Sequence, residues 1–248
     1  MTLAHRIIAT LLIDRNGQLV KGKQFASDRV IPGPPVAAAR VMATVREIDE
    51  LVLLFVHASA DGVPPDERII EQVVADCHIP VTIGGGINTL DIARTILRVG
   101  ADKVVIGRAF RENPLLIRHI GDVAGSQAVV VSIDHGPSGH YEMYCDCAVR
   151  ARSAFVCGAG EILLQSIDRD GMMNGYDLDT ISMVRPLVDV PIVASGGCGE
   201  PAHMAEAILA GADALAAGAM YAFTDQTPLD AKMWLASQGF VVRIPVRA

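Results

Sequence analysis

Aromatic side chains, paired cysteines, surplus positive charge and long apolar runs are all scarce or missing from this chain of 248 residues. Only 4% of the residues are aromatic against a hydrophobic fraction of 51%, so the core must be built from Ala, Val, Ile and Leu. That apolar content excludes a disordered chain. Lys and Arg number 21 against 28 Asp and Glu, a formal net charge of −7, and the basic excess that nucleic acid or an anionic membrane would attract is absent. A local site for a small anion stays open. The longest apolar stretches, such as Leu51 to Val56, fall well short of the roughly 20 residues of a membrane span. The run from Ile7 to Ile13 follows Arg6 without a basic cluster and ends in Asp14 and Arg15 without a small-residue cleavage site. It reads as a strand, not a secretory core. The cysteines, at 77, 145, 147, 157 and 198, are odd in number and form no C-x-x-C pair. They point to free thiols in a reducing, cytoplasmic setting. Cys145-Asp146-Cys147 comes nearest to a metal motif and reads as ordinary half-buried residues; no motif implies a metal or a redox cofactor.

What the chain does contain is a repeat. Setting Pro80 on Pro191 aligns PVTIGGGINTLDIARTILRVGADKVVIGRAF with PIVASGGCGEPAHMAEAILAGADALAAGAMY without a gap. Gly85 and Gly86 fall on Gly196 and Gly197, the Gly-Ala-Asp triplet at 100 to 102 on that at 211 to 213, and Gly107 on Gly218. The same offset lays ELVLL at 50 to 54 on EILLQ at 161 to 165, and Ser59 on Asp170. Within each half, apolar runs alternate with segments of helical spacing, as in Leu90, Ala93, Ile96 and Leu97. Eight strands are expected, starting near residues 6, 50, 79, 102, 127, 161, 190 and 213, with eight helical segments between and after them. Continuous apolar strands suit a sheet covered on both faces. The rhythm predicts one α/β domain over residues 1–248, a (β/α)8 TIM barrel built from two repeated half-barrels.

Reactive groups in such a barrel lie at the C-terminal ends of the strands. Gly84-Gly85-Gly86 and Ser195-Gly196-Gly197 end the third and seventh strands just before helices, where backbone N–H groups can approach an anion. Two such cradles suggest a ligand with two phosphates; taken singly, the glycines could serve only tight turns. Asp134 ends the fifth strand and could work as a general acid or base, or cap a loop. Asp168, Arg169 and Asp170 follow the sixth strand, and could bind a substrate hydroxyl or form a salt-bridge cluster. At the opposite rim Arg6, Glu50, Lys103 and Glu161 stand near strand starts. Charges there serve fold stability by default, and could equally form a closed polar ring.

In order along the chain, RIIATLLIDRNGQLVKGKQF, IDELVLL, PVTIGGGI, GADKVVIG, GSQAVVVSID, GAGEILLQSIDRDG and PIVASGGCG resemble the HisF family, the cyclase subunits of imidazole glycerol phosphate synthases. The resemblance spans nearly the whole chain. It implies a barrel that takes ammonia from a HisH-like glutaminase docked on its N-terminal face and passes it to a bis-phosphorylated, nucleotide-derived substrate at the other end. By the same resemblance Arg6, Glu50, Lys103 and Glu161 match the family's charged gate, Lys21 a lysine of the mouth, and Asp134 one of two catalytic aspartates. Gly86, Gly171, Gly197 and Gly218 match phosphate-contacting positions, joined as site candidates by Gly85, Gly196, Asp170 and Ser195.

Departures from the family gather at the reacting end. Leu12 replaces the other catalytic aspartate, the half-barrel counterpart of Asp134, and a leucine cannot move a proton. Phe55 replaces an aspartate that ends the second strand, adding bulk and removing an acceptor. Gly107-Arg108 replaces a phosphate-binding Asn-Thr, though Arg108 can still hold phosphate as a charged fork. The leucine, and the run DRVIPGPPVAAARV after the mouth lysine, resemble the WbuZ-type HisF paralogues. Those are associated with a HisH-like glutaminase and a sugar amidotransferase in surface-polysaccharide biosynthesis. Three readings result: an ammonia-delivering barrel with the cyclisation lost, an active cyclase subunit using Asp134 alone or with Asp14, and a non-catalytic sensor of a phosphorylated ligand. None involves a nucleic acid or a membrane.

Overall fold

The computed structural model describes residues 3–25, 28–45, 47–136 and 141–245. Strand β1 (Arg6–Ile13) leads into a hairpin of β2 (Leu19–Gly22) and β3 (Asp28–Val30), then α1 (Pro35–Arg40) and a π-helical turn at Val41–Val45. There follow β4 (Glu50–Phe55), α2 (Ala58–Asp61), α3 (Glu67–Asp76), β5 (Val81–Gly84), α4 (Leu90–Val99), β6 (Lys103–Ile106), α5 (Arg108–Glu112) and α6 (Leu115–Ala124). The remainder is β7 (Val129–His135), α7 (Tyr141–Val156), β8 (Glu161–Ser166), α8 (Leu178–Val184), β9 (Ile192–Ser195), α9 (Pro201–Ala210), β10 (Ala214–Ala217), α10 (Ala219–Phe223) and α11 (Pro228–Ser237).

Strands β1 and β4 to β10 pair in parallel around a closed circle, with Arg6 beside Ala214 completing it. The fold is the (β/α)8 barrel expected from the strand rhythm, and each barrel strand starts within two residues of its predicted place. The repeat is equally literal. At the offset that sets Pro80 on Pro191, β4, β5, β6, α4 and α5 coincide end for end with β8, β9, β10, α9 and α10. Unforeseen were β2 and β3, which pair antiparallel onto the end of β1 through Leu12 opposite Val20 and Val20 opposite Val30. Four and three residues long, they carry too little apolar alternation to announce themselves. The short α2, α5 and α10 after strand ends were likewise unforeseen.

Both strand faces are buried, which is why the runs are apolar throughout. Ile7, Ala9, Leu11 and Ile13 of β1 pack outward with Ile83 of β5 and Ile162 of β8, in one core layer with Ile96 of α4 and Ile117 of α6. Ile8 turns inward with Val52, Val105, Val130, Leu163, Val193, Ala214 and Ala216 to fill the barrel. Side chains cap the starts of α4 and α11: Thr89 accepts the Ile92 N–H, and Thr227 and Asp230 form a reciprocal capping box. Among the described residues no helix is long and apolar enough to cross a membrane.

Aspartates fasten the bottom of the barrel in pairs of strands. Asp49, Asp102 and Asp213 each donate their own N–H to the first or second residue of the neighbouring strand and accept that residue's N–H with the carboxylate. The acceptor-side distances are 2.7 Å from Ile7, 2.8 Å from Val81 and 2.8 Å from Ile192. Gly160 occupies the fourth place, where a Cβ would stand 2.1 Å from the Ser126 carbonyl, so β7 and β8 are joined there by the backbone bond alone. Asp213 also receives Arg185 at 2.7 Å. Replacing Asp213 by Ala leaves the Ile192 N–H without its acceptor and is expected to cost about 1–2 kcal/mol in urea unfolding, with Asp213→Asn, which keeps an acceptor oxygen, costing less.

Candidate functional site

At the N-terminal end of the barrel the first inward residues of β1, β4, β6 and β8 meet as a closed ring of charge. Arg6 donates to Glu50 at 2.7 Å and to Glu161. Lys103 bonds both oxygens of Glu50, at 2.8 and 3.0 Å, and Glu161 at 2.9 Å. The Thr82 hydroxyl adds a bond of 2.7 Å to Glu50. The two carboxylates are 3% and 5% exposed, so the ring's negative charge is buried at the barrel floor. Burial works against the charge of Glu50, but Lys103, Arg6 and Thr82 outweigh it and hold the carboxyl below its ordinary range. Burial likewise opposes the Arg6 charge, and Glu161 and Glu50 overcome it, raising its pKa. The four charges do close into a polar ring, one of the arrangements the sequence allowed.

Above the ring the interior is apolar up to a mouth cavity of about 350 Å3. Asp134 faces this cavity from β7 and accepts the Ser132 hydroxyl at 2.7 Å. Leu12 lines the same cavity. The strand register confirms their equivalence: Ile8 pairs with Glu50 as Val130 pairs with Glu161, so Leu12 holds in one half the place that Asp134 holds in the other. Gln165 bridges two further candidates, accepting Ser195 at 2.6 Å and donating to Asp170 at 3.4 Å. Lys21, on the hairpin, is buried with its ammonium against Gly218 and bonded to the Thr10 carbonyl at 2.7 Å. Burial brings the Lys21 amine down to about 8, opposed in part by Asp170. Burial raises the Asp170 carboxyl in turn, opposed by Lys21 and Gln165.

The two glycine cradles have one backbone geometry. Gly86 and Gly197 have φ of +71° and +103°, and a Cβ on either would stand 2.1 Å from a carbonyl, that of Val63 or of Gly175. Only glycine fits. Gly85 and Gly196 precede them, and Gly171 packs against Gly22 of the hairpin. The side chains around the cradles differ. The Gly86 N–H is bonded to the Ser59 hydroxyl at 2.9 Å, and Arg108 stands 3.4 Å from Glu112 at the rim. Ser59, Gly85, Gly86, Gly107 and Arg108 enclose a further cavity of about 120 Å3 there. In the other half Asp170, Ala219 and Phe223 hold the places of Ser59, Arg108 and Glu112.

Phe55 stands an odd number of residues from inward-facing Glu50; its side chain packs in the outer layer, 6% exposed, and the residue also borders the mouth cavity. Gln165, Ser132 and Thr82 were not singled out in the sequence. Each was legible as a polar residue inside an apolar run, in step with an inward neighbour. All five cysteines are free; Cys147 is buried on α7 with its thiol pushed up to about 11 by burial. Among the described residues no group of three or more His, Cys, Asp or Glu is placed to hold a metal ion.

Residues 6–226 match the family described as histidine biosynthesis protein. The chain is also 38% identical over 252 aligned positions to the imidazole glycerol phosphate synthase subunit HisF of Pyrococcus furiosus, which covers 98% of this chain and 99% of that relative.

The buried Lys21 makes a testable contribution to stability. Its folded pKa of about 8 lies below the ordinary 10.5, so between those values the unfolded chain binds a proton that the folded chain does not. Stability therefore rises with pH across that window, and the penalty is at full strength below pH 8. In urea titrations the stability of Lys21→Met relative to the unsubstituted protein should fall by about 3 kcal/mol between pH 7 and pH 10.5. A pH-independent difference would contradict the burial argument.

Proposed function

The chain belongs to the histidine biosynthesis protein family, among its HisF-type barrels, and from that premise we propose that it is the barrel subunit of a glutamine amidotransferase system that delivers ammonia without the original cyclisation. A HisH-like glutaminase docks on the N-terminal face and releases ammonia at the Arg6–Glu50–Lys103–Glu161 ring. The neutral molecule crosses the apolar interior, where an ammonium ion would be opposed by desolvation. It emerges at the mouth, where a phosphorylated ligand is held by the cradles at Gly85 and Gly86 with Arg108, and at Gly171, Gly196, Gly197 and Gly218. Lys21, Asp170 and Ser195 contact that ligand. The delivered ammonia serves a sugar amidotransferase in surface-polysaccharide biosynthesis, in the cytoplasm.

The observation that carries this reading is a contrast between the two ends of one barrel. The ring is complete, while Leu12 stands at the place symmetric with Asp134, leaving one of two opposed proton carriers. Proton transfer in both directions across a reacting group needs an acid and a base. The recruited alternative, Asp14, is engaged elsewhere: its carboxylate accepts the N–H groups of Asn16 at 2.9 Å and Gln18 at 2.8 Å. A second reading, an active cyclase subunit of histidine biosynthesis relying on Asp134 alone, is favoured by the 38% identity to a HisF subunit over nearly its full length.

One experiment separates them. With excess ammonium salt in place of a glutaminase, single-turnover cyclisation of the bis-phosphorylated histidine-pathway substrate is measured for the protein and for Leu12→Asp. The delivery reading expects no detectable product from the protein itself and a rate raised by about 10²-fold or more by the substitution, the scale of one positioned acid or base. Turnover by the unsubstituted protein at a rate that Leu12→Asp does not improve, and that Asp134→Asn abolishes, would establish the second reading instead.

A further inference from the structure

Lys232 of α11 is among the largest side chains in the protein to be fully buried, with 2% of its surface exposed, and nothing in the mouth involves it. Its ammonium donates to the Glu47 carbonyl at 2.6 Å and to Asp49 Oδ1 at 2.7 Å. Asp49 passes the contact on: Oδ2 accepts the Ile7 N–H at 2.7 Å, and the Asp49 N–H donates to the Ile7 carbonyl at 2.9 Å. Glu47 has φ of +55°, a left-handed conformation that costs a residue with a side chain and persists only where its surroundings hold it. The bond from Lys232 falls on the carbonyl of that strained residue.

The residues next in line are those of the ring. Ile7 follows Arg6 and Asp49 precedes Glu50, and Arg6 and Glu50 are bonded to one another at 2.7 Å. The buried ammonium therefore holds the residues just before β4, and through Asp49 the hold passes to the start of β1. The matching place in the other half has no such tie, because Gly160 replaces Asp49 and offers no carboxylate. We propose that Lys232 is a positioning residue of the charged ring, holding the first residues of β1 and β4 so that Arg6 and Glu50 meet; its part in ammonia passage rests on reading the ring as the gate.

The test follows the Arg6 guanidinium protons by 15N NMR hydrogen exchange in the full-length protein, in Lys232→Met, in Lys232→Arg and in Ile117→Ala, an outer-core variant that serves as a control for general destabilisation. Lys232→Met should speed exchange at Arg6 by about tenfold or more relative to the amides of β6 and β7, a local opening distinct from global unfolding. Lys232→Arg, which keeps the charge, should restore most of the protection, and Ile117→Ala should leave Arg6 no faster than the β6 and β7 amides. Should Lys232→Met fail to fold, Asp49→Asn is read in its place, with the same direction expected. Equal acceleration at Arg6 and in β6 and β7, or no acceleration, overturns the inference. The exchange needs no glutaminase, so it is separable from a second arm that compares glutamine-driven with ammonium-driven amide-nitrogen delivery. If Arg6 responds as expected and the unsubstituted protein passes no glutamine-derived ammonia, the gate reading fails while the positioning of the ring by Lys232 stands.

Discussion

Closing eight parallel strands into a barrel forces every second side chain of each strand inward, and the function of this molecule depends on what stands at those positions. The inward residues run from four charges at the floor, through an apolar middle of Val, Ile, Leu and Ala, to a polar mouth. Each zone is stable for a different reason. The middle is ordinary hydrophobic packing. The floor is a set of buried ions that is tolerable only because two cations and two anions compensate one another; removing one partner of such a pair typically costs about 3–5 kcal/mol because a buried charge is left alone. The mouth is neither, and its pKa shifts show the strain: burial opposes the charges of both Lys21 and Asp170, and each relieves the other only in part.

The half-barrel repeat separates what the fold requires from what has been free to change. Backbone features are duplicated with little variation, from strand ends to the carbonyls that crowd Gly86 and Gly197. Side chains at the mouth are not duplicated: Leu12 answers Asp134, Ser59 answers Asp170, and Arg108 answers Ala219. The same asymmetry reaches the floor, where Asp49 and Gly160 are counterparts and only the first ties its strand to α11 through Lys232. Two halves with one backbone thus carry two different sets of side chains at the mouth and at the floor.

Much of this was legible in the residues, because strand parity and the repeat are both periodic signals. The barrel strands began within two residues of their expected starts, and the half-barrel offset held to the residue. Parity also bears on Phe55, left open by the sequence: counted from Glu50 its side chain belongs to the outer layer, while the residue borders the mouth. The hairpin of β2 and β3 was missed because its stability comes from the neighbouring end of β1, not from a pattern of its own. Lys232 was missed for a similar reason. In PLDAKMWLAS it looks like one more solvated helix position, and only the fold brings Asp49 and the Glu47 carbonyl to it.

The hairpin and Leu12 also bear on one another. Leu12 pairs with Val20, the residue before Lys21, so the side chain at position 12 and the buried ammonium belong to the same corner of the mouth. A carboxylate at position 12 would supply a second negative charge near Lys21 and hold its proton more firmly. With leucine there, Asp170 is the carboxylate that opposes the desolvation of Lys21, and the amine falls to about 8. The identity of residue 12 therefore bears on the charge of Lys21. Lys21 and Leu12 share this corner of a cavity that Leu54, Asp134 and Gln165 also line.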